Sequence, residues 1–230
     1  PLMVLGGSGW DAESVHDIRL FAEQQDIPVA ASFRCQDLFD NRHPNYVGDL
    51  GFAASAPLLS AVKEADLLLV VGSRMGEVST GGYTALEIPV PRQTLIHVHQ
   101  GIEELGRVYQ PALAINSSMS TFAKSASKLP AAAPGKNSEW TRTLNSHYQQ
   151  NLERSPSPGN VQMADIIAWL NRRLPDDAIL VAGAATLARF MAPGMSGRGR
   201  VGRRPRLASI RRDLKASKVR PMASRCSPSS

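Results

Sequence analysis

The sequence predicts an α/β fold: a Rossmann-like, mainly parallel sheet with helices on both faces, followed by a truncated second α/β domain and a disordered basic tail. Three observations carry this reading. Short apolar runs alternate with stretches of helical periodicity over residues 1–128, which is the order of βαβ units with right-handed crossovers. The run Leu67-Leu68-Leu69-Val70-Val71 shows no polar alternation, as suits a strand buried on both faces, where each side chain contributes ~1.5–3 kcal/mol. Beyond Gly183 the periodicity disappears.

Taken in order, Leu2 to Leu5 reads as a buried strand, and Gly6-Gly7-Ser8-Gly9-Trp10-Asp11 as the turn that leaves it. Val15, Ile18 and Ala22 then share one face of a helix, with Glu13 in its first turn where the macrodipole favours a carboxylate. Ile27-Pro28-Val29-Ala30-Ala31 is a second short strand. Ser32 to Gly51, rich in Asp, Asn, His, Pro and Gly, reads as one connection long enough to suggest function. Ser55 caps a helix carrying Leu58, Leu59 and Val62, which delivers the chain to the central strand.

After the central strand, Met75 to Pro91 is irregular. Thr94 to His99 is another strand, a turn of helix passes Glu103 and Glu104, and Leu113-Ala114-Ile115 makes an edge strand. Residues 129–159 read as a linker holding one amphipathic helix, whose stripe is Trp140, Leu144, Tyr148 and Leu152. Residues 160–184 give a helix with Met163, Ile166, Ile167 and Leu170 on its buried face, capped by Asn160, and the strand Ala178 to Ala182.

The net charge of +6 is unevenly placed. Residues 189–230 carry ten Arg and two Lys against one Asp, so residues 1–188 are net acidic at −5. A segment with that composition buries too little apolar surface to offset its conformational entropy, and residues 185–230 are expected to be disordered. Cys35 and Cys226 show no metal or redox spacing, which argues against a disulfide framework. No apolar run reaches the ~20 residues of a membrane helix, and no signal-peptide pattern opens the chain, so a cytoplasmic protein is the expectation.

The turn after the first strand matches G-x-G-x-x-A through Gly7, Gly9 and Ala12. Glycines there let backbone approach a phosphate, and the helix N-terminus supplies free N–H groups. The acidic partner usual about 20 residues later is replaced by Ser32-Phe33-Arg34, where Arg34 either meets a 2′-phosphate or faces solvent. Gly72-Ser73-Arg74 lies where ligands of open parallel sheets sit, just past a strand's carboxyl end. His97 and His99 lie on one side of their strand with no third ligand apparent, and read as structural histidines. There is no nucleophile elbow, no phosphate-cradling lysine loop and no metalloprotease motif.

Together, Leu5-Gly6-Gly7-Ser8-Gly9-Trp10, Ile27-Pro28-Val29, His43-Pro44-Asn45-Tyr46-Val47-Gly48-Asp49-Leu50-Gly51, Ala65-Asp66 through Gly72-Ser73-Arg74 and Ile96-His97-Val98-His99 resemble the central domain of thiamine-diphosphate enzymes of the acetolactate synthase type. The resemblance spans residues 1–128 and resumes over 160–184 as the start of that family's diphosphate-binding domain. It implies thiamine diphosphate and Mg²⁺ in the parent enzyme, a 2-oxo acid substrate, decarboxylation or carboligation, and a homo-oligomer. It also implies a fragment inactive by itself, because the glutamate-bearing domain and a Gly-Asp-Gly motif are absent from the 230 residues. FAD or an adenine nucleotide in the central domain is a further implication, with Gly6, Gly7, Ser32, Phe33, Gly48, Leu50, Gly72, Ser73 and Arg74 as the residues facing it. Gln100 stands where FAD-binding relatives often carry an acid.

Two alternatives stay open: a stand-alone FAD- or NADP-binding protein, and nonspecific nucleic-acid binding through the Arg-rich tail. The second lacks interleaved aromatics for base stacking, Phe190 excepted. The change of character after Gly183 also suggests a frameshifted reading of a longer gene.

Overall fold

Six parallel strands in the order β3-β2-β1-β4-β5-β6 make the sheet of the computed structural model, which describes residues 1–52, 54–133, 135, 137–152 and 159–174. The strands are β1 (Leu2–Leu5), β2 (Val29–Ser32), β3 (Tyr46–Leu50), β4 (Leu67–Val71), β5 (Thr94–His99) and β6 (Leu113–Asn116). The helices are α1 (Ala12–Gln25), α2 (Ala56–Glu64), α3 (Met119–Ala126), α4 (Ser138–Asn151) and α5 (Met163–Arg173). The expected parallel α/β architecture is what forms.

Alternation along the central strands divides the core in two. Met3 and Leu5 of β1 with Leu69 and Val71 of β4 pack beneath α1 and α3, against Ile18, Phe21, Met119 and Ala123. Leu2 and Val4 with Leu68 and Val70 pack on the opposite face, against Leu58, Ala61 and Val62 of α2 and Leu144 of α4. All eight strand side chains are buried, so β1 and β4 are apolar on both sides.

Helix starts follow local chemistry. Asp11 caps α1 by accepting from Ser14 N at 2.8 Å, while Ser14 Oγ accepts from Asp11 N at 2.9 Å, a reciprocal capping box. Ser55 caps α2 as the sequence indicates, and Ser118 caps α3.

Three features depart from the sequence reading. The connection Ser32–Gly51 is not wholly irregular: it holds a 3₁₀ turn at Gln36–Leu38 and the edge strand β3, which pairs with β2 across a register shift at Val29/Ala30. The stretch after β6 forms α3, which the sequence reading leaves without an element, and α3 packs against α1. In α5 the expected buried face is not buried throughout: Ile166 is exposed and Leu170 half-buried, and Gln162 rather than Asn160 stands at the N-cap position. The strand that reading pairs with α5, Ala178 to Ala182, lies outside the described residues, as does the tail 185–230.

The helix between the two proline-rich breaks is seated on the sheet. At its start, Thr141 Oγ1 donates to Asp26 O at 2.9 Å and Ser138 Oγ to Asp26 Oδ2 at 2.5 Å, tying α4 to the end of α1. Further along, Asn145 Nδ2 donates to Tyr46 O at 2.8 Å, and Tyr148 meets Tyr46 edge-to-face with centroids 5.0 Å apart. The N-terminal half of the preceding linker is pinned as well, by Ala132 N to Gln24 O at 3.0 Å.

Candidate functional site

The chain turns one way from β1 to β2 and the other way from β4 to β5, so the strand order reverses between β1 and β4. In open α/β sheets ligands bind outside the carboxyl ends of the strands at such a point. Here those ends carry Gly6-Gly7 and Gly72-Ser73-Arg74, with Ser32-Phe33 arriving from β2.

The glycines interlock. Gly7 (φ +73°) lies so close to Gly72 that a Cβ on it would overlap the Gly72 carbonyl, and a Cβ on Gly72 (φ +78°) would overlap the Gly6 carbonyl and come 2.8 Å from Met119 Sδ. A Cβ on Gly6 would lie 2.7 Å from Ser32 Cβ and 2.9 Å from Ser73 Cβ. Both loops therefore need glycine for backbone-to-backbone contact. Gly6 N donates to Val71 O at 3.0 Å and Gly72 N to Val98 O at 2.8 Å, which continues the ladder into the turns.

Three buried serine hydroxyls fasten the loops together. Ser73 Oγ donates to Ser32 Oγ at 3.2 Å, and the Ser32 and Ser79 hydroxyls share a hydrogen bond of 3.1 Å. Met75 N donates to Ser73 Oγ at 3.2 Å, so the same hydroxyl also fixes the start of the 75–91 loop. Beneath it, His97 Nε2 is 2.8 Å from Ser73 O, and burial holds this imidazole below its usual pKa, in the neutral form that donates to the carbonyl. His99 Nδ1 accepts from Gly101 N at 3.0 Å. Among the described residues no three His, Cys, Asp or Glu side chains come together as metal ligands.

The rim carries charge and aromatic surface. Arg74 is exposed and makes no hydrogen bond or ion pair among the described residues. Arg34, in the left-handed region at φ +62°, lays its guanidinium 5.1 Å from the Phe33 ring centroid, and Phe52, 82% exposed, meets Phe33 edge-on at 5.0 Å. The N-terminus of α1 is already occupied by a carboxylate. Ser14, through its N–H and its hydroxyl, holds Asp11 below the usual carboxylate range, so an anion caps the end that the glycine pattern would offer to a phosphate. At the end of β3, burial raises the Asp49 carboxyl above its ordinary range although Gln36 donates to it.

Of the residues singled out by sequence, Gly6, Gly7, Ser32, Gly72 and Ser73 converge at the strand ends, and Phe33 and Arg74 stand on the rim. Gly48 and Leu50 belong to β3, where Leu50 pairs with Ser32 at the strand's carboxyl end. Gly48 (φ +116°) packs beneath Leu58 and Tyr148, and Leu50 is buried in the core on the α2 side. Asp11 and Ser79 escaped sequence reasoning. Asp11-x-x-Ser14 is a recognisable capping pattern, whereas Ser79 meets Ser32 across 47 positions and carries no local signal.

Thiamine diphosphate finds no fit among the described residues, which offer neither a metal cluster nor a Gly-Asp-Gly turn. A nucleotide fits in part: Arg74 and the Phe33–Phe52 surface suit a phosphate and a base, while the Asp11 cap opposes a phosphate on α1.

Comparison with known proteins places this geometry. Residues 1–125 match the family described as "Thiamine pyrophosphate enzyme, central domain". The chain is 27% identical over 128 residues to the sulfoacetaldehyde acetyltransferase of Alcaligenes xylosoxydans xylosoxydans, covering 56% of this chain and 21% of that protein. It is 25% identical over 190 residues to the acetolactate synthase large subunit of Corynebacterium glutamicum, covering 80% of this chain and 30% of that one. It is 31% identical over 124 residues to the acetolactate synthase large subunit of Cyanidium caldarium, covering 54% and 21%. The chain thus spans between a fifth and a third of the length of these relatives.

Proposed function

Because the chain belongs to the thiamine pyrophosphate enzymes through their central domain, we propose that it serves as that domain in an acetolactate synthase-type enzyme acting on a 2-oxo acid. In such an enzyme thiamine diphosphate with Mg²⁺ would supply the chemistry on the 2-oxo acid, and the described residues offer no site for it. The observation that carries the reading is the match over residues 1–125 on a sheet of order β3-β2-β1-β4-β5-β6. The contribution of this chain is a rigid platform: interlocked glycines and a buried serine chain hold the β1 and β4 loops in one arrangement.

Within that role FAD or an adenine nucleotide lies outside the carboxyl ends of β1 and β4. Arg74 is its phosphate partner, and the Phe33–Phe52 surface is open to its base. The Asp11 cap keeps the diphosphate off the N-terminus of α1. In the cell such an enzyme works in the cytoplasm as a homo-oligomer.

The test is enzymatic. The product of the complete reading frame at the source locus is assayed with a panel of 2-oxo acids, with and without thiamine diphosphate and Mg²⁺. Turnover that requires both is expected, and no turnover from the 230-residue chain alone. A complete product that turns over no 2-oxo acid in a cofactor-dependent way overturns the reading. Flavin fluorescence titration of wild type and Arg74→Ala tests the nucleotide separately, with weaker binding expected in the variant.

A further inference from the structure

β2 ends at Ser32, beside β1, and the chain leaves it through a tight turn. Cys35 N donates to Ser32 O at 3.0 Å, which closes Ser32-Phe33-Arg34-Cys35 into a four-residue turn with Arg34 in the third position. Arg34 has φ +62°. A left-handed third position is the mark of a type II turn, where glycine fits without strain and a residue with a Cβ does not. Phe33 N, 3.5 Å from Ser79 Oγ, ties the same turn to the buried serine chain. Arg34 is an exposed, charged residue held in a strained conformation that adds nothing to the core. Strain placed at a strand end of this kind points to a use for the side chain.

That side chain has a definite place. Its guanidinium lies 5.1 Å from the centroid of the Phe33 ring, on the aromatic surface open to a base, and so beside the ribose that such a base carries. Where the first βα turn of a parallel sheet reads G-x-G-x-x-A, the end of the next strand reads the ribose. A carboxylate there bonds the 2′-hydroxyl, and an arginine accommodates a 2′-phosphate. The three residues that follow each of β1, β2, β4 and β5 include Arg34 and Arg74 and no carboxylate. Two carboxyls come near. Asp11 is spent on the cap of α1. Asp49 Oδ2 lies against Gly51, as the Phe33 ring does, but Gln36 donates to it and burial raises its pKa, which lessens the negative charge it turns towards a phosphate.

We propose, resting on the nucleotide reading of this site, that Arg34 sets its specificity and that the ligand is an adenine nucleotide with a phosphate on its ribose 2′-oxygen. The Arg34 guanidinium takes that phosphate through charge-assisted, forked N–H···O bonds. Arg74 takes the 5′-diphosphate, on a loop that Ser73 Oγ fastens to Ser32 Oγ at 3.2 Å, so the two guanidiniums stand on loops bound to each other. A nucleotide with a free 2′-hydroxyl, FAD among them, leaves Arg34 without an anion and the strain of its turn without a return.

Calorimetric titration of the full chain with ADP-ribose, its 2′-phosphorylated form and FAD tests this, since the first two differ only in the phosphate at issue. Wild type is expected to bind the 2′-phosphorylated form tighter than ADP-ribose by on the order of 10–100-fold, the worth of a hydrogen bond to a charged group. Arg34→Gly is expected to lose that preference, to keep its affinity for ADP-ribose, and to hold or raise the urea midpoint because glycine relieves the turn. Arg34→Lys is expected to recover part of the preference through its charge. Equal or tighter binding of ADP-ribose or FAD by wild type overturns the proposal and leaves the nucleotide reading standing. Binding of none of the three overturns both. A preference that survives Arg34→Gly overturns the role of Arg34. A variant whose urea midpoint and affinity for every ligand fall together overturns it as well, because Arg34 is then a structural residue.

Discussion

Replacing Gly72 by alanine puts a methyl group where the Gly6 carbonyl and Met119 Sδ already lie. The residue sits at φ +78°, and the left-handed region costs an L-residue roughly 1–2 kcal/mol. Overpacking a closed contact adds about 1–3 kcal/mol, for a total of about 2–5 kcal/mol. A domain has only about 5–15 kcal/mol of stability to lose. With a urea m-value of about 2 kcal/mol/M, the midpoint falls by about 1–2.5 M. Trp10 is the reporter, buried with its indole N–H donating at 2.8 Å to Gly6 O, the same carbonyl the added methyl would meet. Gly82→Ala is the control: φ is +72° but the space around it is open, so only the backbone cost, about 1–2 kcal/mol, is expected. Gly76 has open space and no positive φ, and Gly76→Ala should be neutral or stabilising by about 0.4–1 kcal/mol. If Gly72→Ala costs no more than Gly82→Ala, the interlocking of the β1 and β4 loops is refuted.

Other perturbations probe separate parts of the same frame. Asp11→Ala removes the capping box of α1 and should lower stability by about 0.5–2 kcal/mol in urea titration, with Asp11→Asn recovering most of it. His97 is a base whose pKa falls on folding, so the unfolded chain binds more protons between the folded value and 6.5. Its contribution is complete above pH 6.5 and is lost as pH falls below it. The thermal midpoint should therefore drop more between pH 7 and pH 5 in wild type than in His97→Gln (pH values set by the reference His pKa of about 6.5). Tyr148→Ala, which empties the site between Tyr46 and the α4 stripe, should cost about 3–5 kcal/mol. Amide exchange should then show α4 protected together with the sheet in wild type.

What could be read from the sequence was what local pattern carries. The uninterrupted run of β4, the helical spacing of α1 and α2, and the four-residue stripe of α4 each declare themselves within a dozen residues. β3 did not, because Gly48 and Asp49 interrupt its apolar residues and Pro44 precedes it; pairing with β2 and cover from α4 make it a strand. α3 is eight residues rich in Ser and Thr, held by Met119, Ala123 and Ala126 against α1, although Ser118 before that spacing was a usable signal. The glycine turn was legible as a turn. Its use was not, because the partner that demands glycine at position 7 is the Gly72 carbonyl, 65 residues away.

The central claim is that this chain is the central domain of a thiamine-diphosphate enzyme of the acetolactate synthase type. DNA sequencing of the source locus, from upstream of the Pro1 codon to well past the Ser230 codon, tests it most directly. The account predicts a glutamate-bearing domain encoded upstream and, in one frame after codon 183, Gly-Asp-Gly followed by Asn. A locus that encodes neither contradicts it.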